Sequence, residues 1–162
     1  MTRMTHEIPN ISPKIALYEP DIPQNTASII RTCSCLGVMI EIIEPCGFMI
    51  NDKRFKRVVM DYFDLKMIKF YQNYDDFFKT KKKQKERVVL MTTKASISYI
   101  NFKFKITDTL LFGRESYGVP EKIHKMVDKR LKIPLSFKKR SLNLASSVAI
   151  TLAESLRQNK LI

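Results

Sequence analysis

Apolar residues along the chain fall into two alternating patterns. Short, nearly continuous apolar runs occur at Lys14–Tyr18, at 38–43, at 65–70, at Val88–Met91, at Thr109–Phe112 and at 131–134, each bounded by proline, glycine or polar residues. Runs of this length predict buried strands. Between them, apolar positions return every three or four residues. Pro23–Leu36 carries Ile29, Ile30, Cys33 and Leu36 at helical spacing, with Asn25 as the expected N-cap and Gly37 as the stop. Residues 52–60 and 74 to about 83 read as basic helices, 120–127 as a short helix opened by proline, and 143–158 as the last helix, capped by Ser141 or Asn143. Pro45-Cys46-Gly47 reads as a turn.

Strand and helix alternate about six times. This predicts an α/β fold with a mostly parallel sheet and helices on both faces. With no linker and no internal repeat, residues 14–162 are expected to form a single domain, preceded by a flexible extension over residues 1–13. In such sheets ligands sit beyond the carboxyl ends of the strands. Those ends read Glu19-Pro20, Glu44-Pro45, Thr92-Thr93-Lys94, Gly113-Arg114-Glu115 and Pro134, where polar residues, glycine and proline gather.

Composition narrows the chemistry. The chain has 162 residues, 44% hydrophobic and 28% charged, as in an ordinary folded domain. Lys and Arg number 29 against 16 Asp and Glu, a net charge of +13 that invites a polyanionic partner. One basic run is Lys53-Arg54 with Lys56-Arg57. A second is Lys79, Lys81-Lys82-Lys83, Lys85 and Arg87, which reads equally well as a solvated loop or helix face. A third spans Lys129-Arg130, Lys132 and Lys138-Lys139-Arg140. The first and third interrupt apolar segments near the strand ends and point to nucleic acid.

The rare residues exclude a good deal. Four glycines form no nucleotide-binding loop of the G-x-G-x-x-G or G-x-x-x-x-G-K-[ST] type. Two histidines, His6 and His124, make no H-E-x-x-H motif, and a Ser-His-Asp triad would rest on His124 alone. Cys33, Cys35 and Cys46 are a poor zinc set, so no metal is expected. Their odd number, with no signal-peptide core in residues 1–13, suggests reduced thiols in the cytoplasm. No apolar run approaches a membrane span.

Three segments carry the candidate chemistry. The first runs from Tyr18 through Glu19, Asp21 and Asn25 to Arg31, whose neighbours one turn away are Ala27, Ser28, Ser34 and Cys35. Such small neighbours leave room for a ligand or a second chain beside the guanidinium, although a plain surface arginine and a capping asparagine fit the same pattern. The second is F-G-R-E-S-Y-G-V-P at 112–120, with half of the chain's glycines between a strand and a helix. It reads either as a tight turn or as a loop whose glycines admit a ligand to the backbone. The third is Ile133-Pro134 followed by S-L-N-L-A at 141–145. The last helix sets Ala145, Ser146, Ala149 and Ala153 on one side and Leu144, Val148, Leu152 and Leu156 on another, a small-residue face suited to close helix packing in the core or across a dimer.

Taken in order, these segments resemble the SPOUT methyltransferases. They are most similar to the tRNA (cytidine/uridine-34) 2'-O-methyltransferases, over about residues 14–158. The family pattern N-T-G-x-x-x-R appears as Asn25-Thr26-Ala27 with Arg31, F-G-x-E-x-x-G-(I/L/V)-P is intact at 112–120, and I-P with S-x-N-(L/V)-(S/A) appears at 133–134 and 141–145. Further marks are L-Y-E-P at 17–20, I-I-E-P-x-G-F at 42–48, the basic D-K-R-x-K-R at 52–57, D-Y at 61–62 and T-T-K at 92–94. Ala27 departs from the usual glycine, and its methyl group is expected to narrow the approach to Arg31.

The resemblance implies a C-terminal trefoil knot, S-adenosylmethionine as cofactor, tRNA as substrate through its anticodon loop, and a homodimer with the knot regions packed together. Cofactor contacts would fall on Met91, Gly113, Glu115, Ile133, Ser141, Leu142 and Asn143. Arg31, Asn25 and Glu19 would carry the catalytic end, with Arg31 serving the cofactor of the other subunit. Lys53, Arg54, Lys56, Arg57, Lys139 and Arg140 would grip RNA phosphates. The implied reaction is 2'-O-methylation of the wobble ribose. The alternatives are the same chemistry at another tRNA or ribosomal RNA site, an RNA-binding factor without catalysis, and a generic basic α/β binding module.

Overall fold

The computed structural model describes residues 11–59 and 64–162, without the side chains of Arg54, Val58 and Leu65. Most of the expected extension, His6 and the D-Y pair at 61–62 lie outside the described residues. Six strands order as β3-β2-β1-β5-β4-β6, and every pairing is parallel. They are β1 (Lys14–Tyr18), β2 (Ile40–Ile43), β3 (Ile68–Tyr71), β4 (Val88–Met91), β5 (Thr109–Phe112) and β6 (Lys129–Leu131). The helices are α1 (Pro23–Leu36), α2 (Lys53–Val59), α3 (Tyr74–Gln84), α4 (Glu121–Met126) and α5 (Leu144–Gln158).

Side chains alternate across a strand, and here both faces are covered. Ile15, Leu17, Ile40, Ile42, Leu110 and Phe112 face a core shared with α1, α2 and α5. Ala16, Tyr18, Ile43, Leu90 and Leu111 face a second core with Tyr74 and Phe77 of α3 and Ile123 of α4. This double burial is why the strands read as continuous apolar runs. The sheet order reverses between β1 and β5, and such a switch point opens a crevice at the carboxyl ends of the two strands.

The two edge strands differ from expectation. Residues Leu65–Met67 form a 3-10 turn, and β3 begins at Ile68. On the other edge β6 lies at Lys129–Leu131, upstream of the expected 131–134, because Lys129 and Arg130 align with Val89 and Leu90 of β4. Each edge strand has one neighbour and carries exposed lysine or arginine, so its hydrophobic signal is weak and its charge discourages further pairing. Ile22, not Asn25, is the N-cap of α1, with Pro23 in the first turn, and Gly37 closes the helix in the left-handed conformation.

One lysine of the second basic run is not a surface residue. Lys81 is fully buried, at the third point of the α3 stripe formed with Tyr74 and Phe77. Its ammonium lies 2.6 Å from Glu41 Oε2 and 2.7 Å from Glu86 Oε2, and Tyr71 donates to Glu41. Lys14 pairs with Glu86 from β1. Burial would raise the Glu86 pKa, but the Lys14 and Lys81 ammonium groups hold it below the ordinary value.

Removing one partner of a buried pair leaves an uncompensated charge, at a cost of about 3–5 kcal/mol. Lys81→Met should lower the unfolding free energy read from urea denaturation by that scale, and adding Glu41→Gln should recover much of the loss. A depressed carboxylate stabilises the fold above its unfolded pKa, near about 4.3, and loses that contribution as pH falls through the folded value. Denaturation series should therefore show stability falling more steeply below about pH 4.3 in the native protein than in Lys81→Met.

Candidate active site

The carboxyl ends of β1 and β5 lie side by side, with Leu17 opposite Phe112. The loop after β5 is folded onto itself. Arg114 and Gly118 form an antiparallel bridge through N–H···O contacts of 3.2 and 2.8 Å. A Cβ on Gly113 would come within 2.5 Å of the Gly118 backbone. Gly113 is therefore bare where the loop closes on Gly118, and it also lines the cleft described below. The loop after β2 is drawn in similarly: a Cβ on Gly47 would meet Asp21 Cβ at 2.7 Å, and Gly47 N–H donates to Pro20 O at 2.9 Å.

The loops after β1 and β5 are tied by reciprocal bonds. The Asp21 backbone N–H donates to Glu115 Oε2 at 3.0 Å, and the Glu115 backbone N–H donates to Asp21 Oδ1 at 3.2 Å. Ser116 Oγ donates to Asp21 Oδ2. The Arg114 guanidinium lies 3.3 Å from Asp21 Oδ2 and 3.4 Å from Glu19 Oε2. It stacks on the exposed ring of Tyr117, 4.9 Å from its centroid. A hydrogen bond shared with the Glu115 carboxyl brings the Asp21 pKa down to about 2 against partial burial, with Ser116 and Arg114 helping. Burial pushes Glu115 up, and the contact with Asp21 adds to it.

From Glu115 a chain of amides reaches the last helix. Asn25 Nδ2 donates to Glu115 Oε1 at 3.2 Å, and Asn143 Nδ2 donates to Asn25 Oδ1 at 2.9 Å. Asn143 Oδ1 accepts from Ser146 N–H at 3.2 Å, which makes Asn143, rather than Ser141, the N-cap of α5. Asn25, expected to cap α1, instead joins the three motif-bearing loops.

These loops surround an open cleft of about 420 Å³. Its walls are Ile22, Leu90, Met91, Val119, Leu142 and Leu144, with Thr92, Thr93, Ser141, Asn25, Asn143, Arg114 and Glu115 as polar groups. A smaller neighbouring cavity of about 110 Å³ shares Met91, Ser141 and Leu142 and adds Ile133. All seven expected cofactor residues, Met91, Gly113, Glu115, Ile133, Ser141, Leu142 and Asn143, thus gather at the two cavities. The size and mixed lining suit a small organic ligand.

The other expected residues lie elsewhere. Glu19 pairs with Arg114 and lines neither cavity. Arg31 is exposed and lines neither cavity. Six residues on from Asn25, it is about 9 Å farther along α1 and about 120° round it. Ala27 is buried in the core, so its methyl group does not crowd the solvent face beside Arg31. Lys53, Lys56 and Arg57 are exposed on α2, and the Arg54 side chain lies outside the described ones. Lys139 and Arg140 are exposed immediately before Ser141 at the cleft. Asp21 is central to the site; the sequence places it in the first candidate segment but assigns it no role, although its position between two prolines after β1 marks it as a loop residue at a strand end.

Comparison with known proteins agrees with this geometry. Residues 12–153 match the family model described as the SpoU rRNA Methylase family. A tRNA (cytidine(34)-2'-O)-methyltransferase of Beijerinckia indica is 46% identical over 144 residues, covering 89% of this chain and 90% of that protein. Its Escherichia coli K12 counterpart of the same name is 35% identical, covering 89% and 92%. A solved structure described as giving insights into the 2-OH methylation of C/U34 on tRNA superposes with a TM-score of 0.87 at 32% identity, over 93% of this chain and 97% of that one. An AdoMet-bound rRNA methyltransferase from Sinorhizobium meliloti gives 0.82 at 26% identity, over 90% and 56%. With its fold, its motif-bearing loops and nearly its whole length matched, this chain belongs to the SpoU rRNA methylase family.

Proposed function

We propose that the protein is an S-adenosylmethionine-dependent 2'-O-methyltransferase of the wobble nucleotide, position 34, of tRNA. The observation that carries this is the convergence of three separate motif-bearing loops on one cleft. The names of relatives matched along nearly the full chain support the substrate.

The lining fits this cofactor. Its walls are apolar, hydroxyl groups of Thr92, Thr93 and Ser141 offer hydrogen bonds, and the Glu115 carboxyl stands where a cationic ligand gains from it. The phosphate-free cofactor needs no glycine-rich phosphate cradle. Met91, Gly113, Ile133, Ser141 and Leu142 would hold it, and Glu115 and Asn143 would hold the loops around it. Bound, it supplies a methyl group made electrophilic by a sulfonium.

The protein's own task is to bring a ribose 2'-hydroxyl to that methyl and steady the charge that grows on its oxygen. Arg31 takes this role in our reading. A guanidinium is a donor fork, not a base, so it binds a phosphate and stabilises the alkoxide. Asn25 and Glu19 order the loops around the cleft, through Glu115 and Arg114. Because Arg31 lies off the cleft of its own chain, the reading includes a homodimer in which it reaches the partner's cleft.

The dimer is supported by the outer faces of α1 and α5, which pack together. Ser28, Arg31, Cys35 and Leu36 are exposed on one helix and Ser146, Ile150 and Ala153 on the other. The reading also includes a trefoil knot, supported by the return of the chain from edge strand β6 through the cleft-lining segment 132–143 to α5 against α1. It takes residues 14–162 as one domain after an extension, Lys53, Arg54, Lys56, Arg57, Lys139 and Arg140 as contacts to the anticodon loop, and the cytoplasm as the place of work. No helix among the described residues is long and apolar enough to cross a membrane, and none of their side chains cluster as a metal site.

Incubation with methyl-labelled cofactor and unmodified tRNA, followed by nucleotide mapping, should find the label on the ribose of nucleotide 34. Label on another nucleotide, or none, would overturn the reading. Arg31→Ala should cut turnover about 10²-fold or more, the scale of one lost charge-stabilising donor, while tRNA and cofactor still bind. Arg31→Lys should rescue poorly, because an ammonium lacks the planar fork.

Cofactor placement should be tested at Leu142, which is 40% exposed on the cleft wall. Leu142→Glu should weaken cofactor binding about tenfold or more in calorimetry with little change in unfolding midpoint, the loss being of a contact and not of the core. Gly113→Val is a poor test, since the Gly118 backbone blocks it. In sedimentation, Ala153→Arg should convert a dimer to a monomer and abolish turnover. A wild type that is monomeric yet active would exclude the shared site.

A further inference from the structure

A second, strongly basic cleft of about 540 Å³ lies on the β6 edge of the sheet. It is lined by Lys94, Ser96 and Ile97 from the turn after β4, by His124 and Lys125 of α4, and by Lys129 and Arg130 of β6. The turn is pinned in place: Ala95 N–H donates to Thr92 O at 3.2 Å and Lys132 N–H donates to Ile97 O at 2.9 Å. Lys94 directly follows Thr92 and Thr93, which line the first cleft, so the two clefts share a wall segment.

Two features call for an anionic ligand. Lys94, Lys125, Lys129 and Arg130 make no ion pair among the described residues, and the carboxylate in the lining is already engaged. Asp128 accepts from Lys82 at 3.1 Å and from the Val88 backbone at 2.8 Å. His124 is only 5% exposed, yet its imidazole has no hydrogen-bond partner among the described residues. Its ring nitrogens reach solvent beside a wall of cations, where the oxygen of an anion can accept from them. Burial, then the charges of Lys94 and Arg130, lower its pKa, and Glu121 opposes them.

We propose that this cleft binds a backbone phosphate of the substrate RNA, with His124 donating to a phosphate oxygen and Lys94, Lys125, Lys129 and Arg130 neutralising the anion. The site rests on the reading of the chain as an RNA methyltransferase and adds a contact outside the residues given above to the anticodon loop. The cleft is open along the sheet edge and larger than a single phosphate, and it adjoins the first cleft. A continuous polyanion fits it better than a free ion. An arriving anion also reverses the field at His124, so its pKa should climb on binding.

The chain has only two histidines, so NMR can follow each imidazole in the intact protein. Addition of unmodified tRNA should raise the His124 pKa, whereas inorganic phosphate at equal phosphate concentration should leave it nearly unchanged. A rise with inorganic phosphate alone would overturn the RNA assignment in favour of a small phosphorylated ligand. No rise with either would overturn the site. In a second arm, the double variant K129Q/R130Q should raise KM for tRNA about tenfold and flatten the salt dependence by about two contacts' share. Its kcat, cofactor affinity and unfolding midpoint should stay as in the wild type. Unchanged KM and salt slope in an active enzyme would overturn the inference while leaving the methyltransferase reading intact. A wild type that methylates no tRNA, yet whose His124 titrates upward with it, would overturn that reading and keep the cleft.

Discussion

The Asp21–Glu115 pair holds the site together. Two loops leave adjacent strands at the point where the sheet order reverses, and each accepts the other's backbone N–H on its carboxylate. Without that exchange the backbone N–H groups of both loops would need other partners, and Arg114 and Asn25 would lose their anchors. With it, the pull extends through Asn25 and Asn143 to the start of α5. Three segments far apart in sequence become the wall of one cleft. The glycines serve the same end, since Gly113 and Gly47 are bare where other backbone must press against them.

Charge does three different jobs in this molecule. At the switch point it is balanced and structural, with Arg114 between Asp21 and Glu19. Beneath α3 it is buried, where Lys81 sits among Glu41, Glu86 and Lys14. On α2, on the segment before Ser141 and along the β6 edge it is exposed and in excess, which is what a surface for a polyanion requires. Net charge alone cannot separate these roles. Lys81 is buried, while Lys82 and Lys83 beside it in the same basic run are exposed.

The parallel sheet explains why the clefts lie where they do. With both faces covered by helices, the carboxyl ends of the strands are left as the place where loops can gather. The first cleft forms at the end of β4 and β5, and the turn after β4 carries the wall on into the basic cleft beside β6. The proposed cofactor cleft and the proposed phosphate cleft thus lie along one wall.

Much of this was legible in the residues themselves. A buried parallel strand must be apolar on both faces, so β1, β4 and β5 stand out as runs with sharp ends, and the periodicity of α1 and α5 follows from each helix burying one stripe. The seven cofactor candidates are what the resemblance of the motifs to a known family implies, and the fold gathers them at the two cavities. What the linear order did not carry were relations across the sheet. The edge strands β3 and β6 gain definition only from a neighbour, and so were misplaced. Lys81 is i+7 from Tyr74, and Glu41 interrupts an apolar strand, but only the packing of α3 over β2 makes them partners. Asn25 looked like a helix cap because capping is the local use of an asparagine near a helix start. Tertiary structure gave it Glu115 and Asn143 instead, since hydrogen bonds form with whatever donor or acceptor the folded chain brings within about 3 Å.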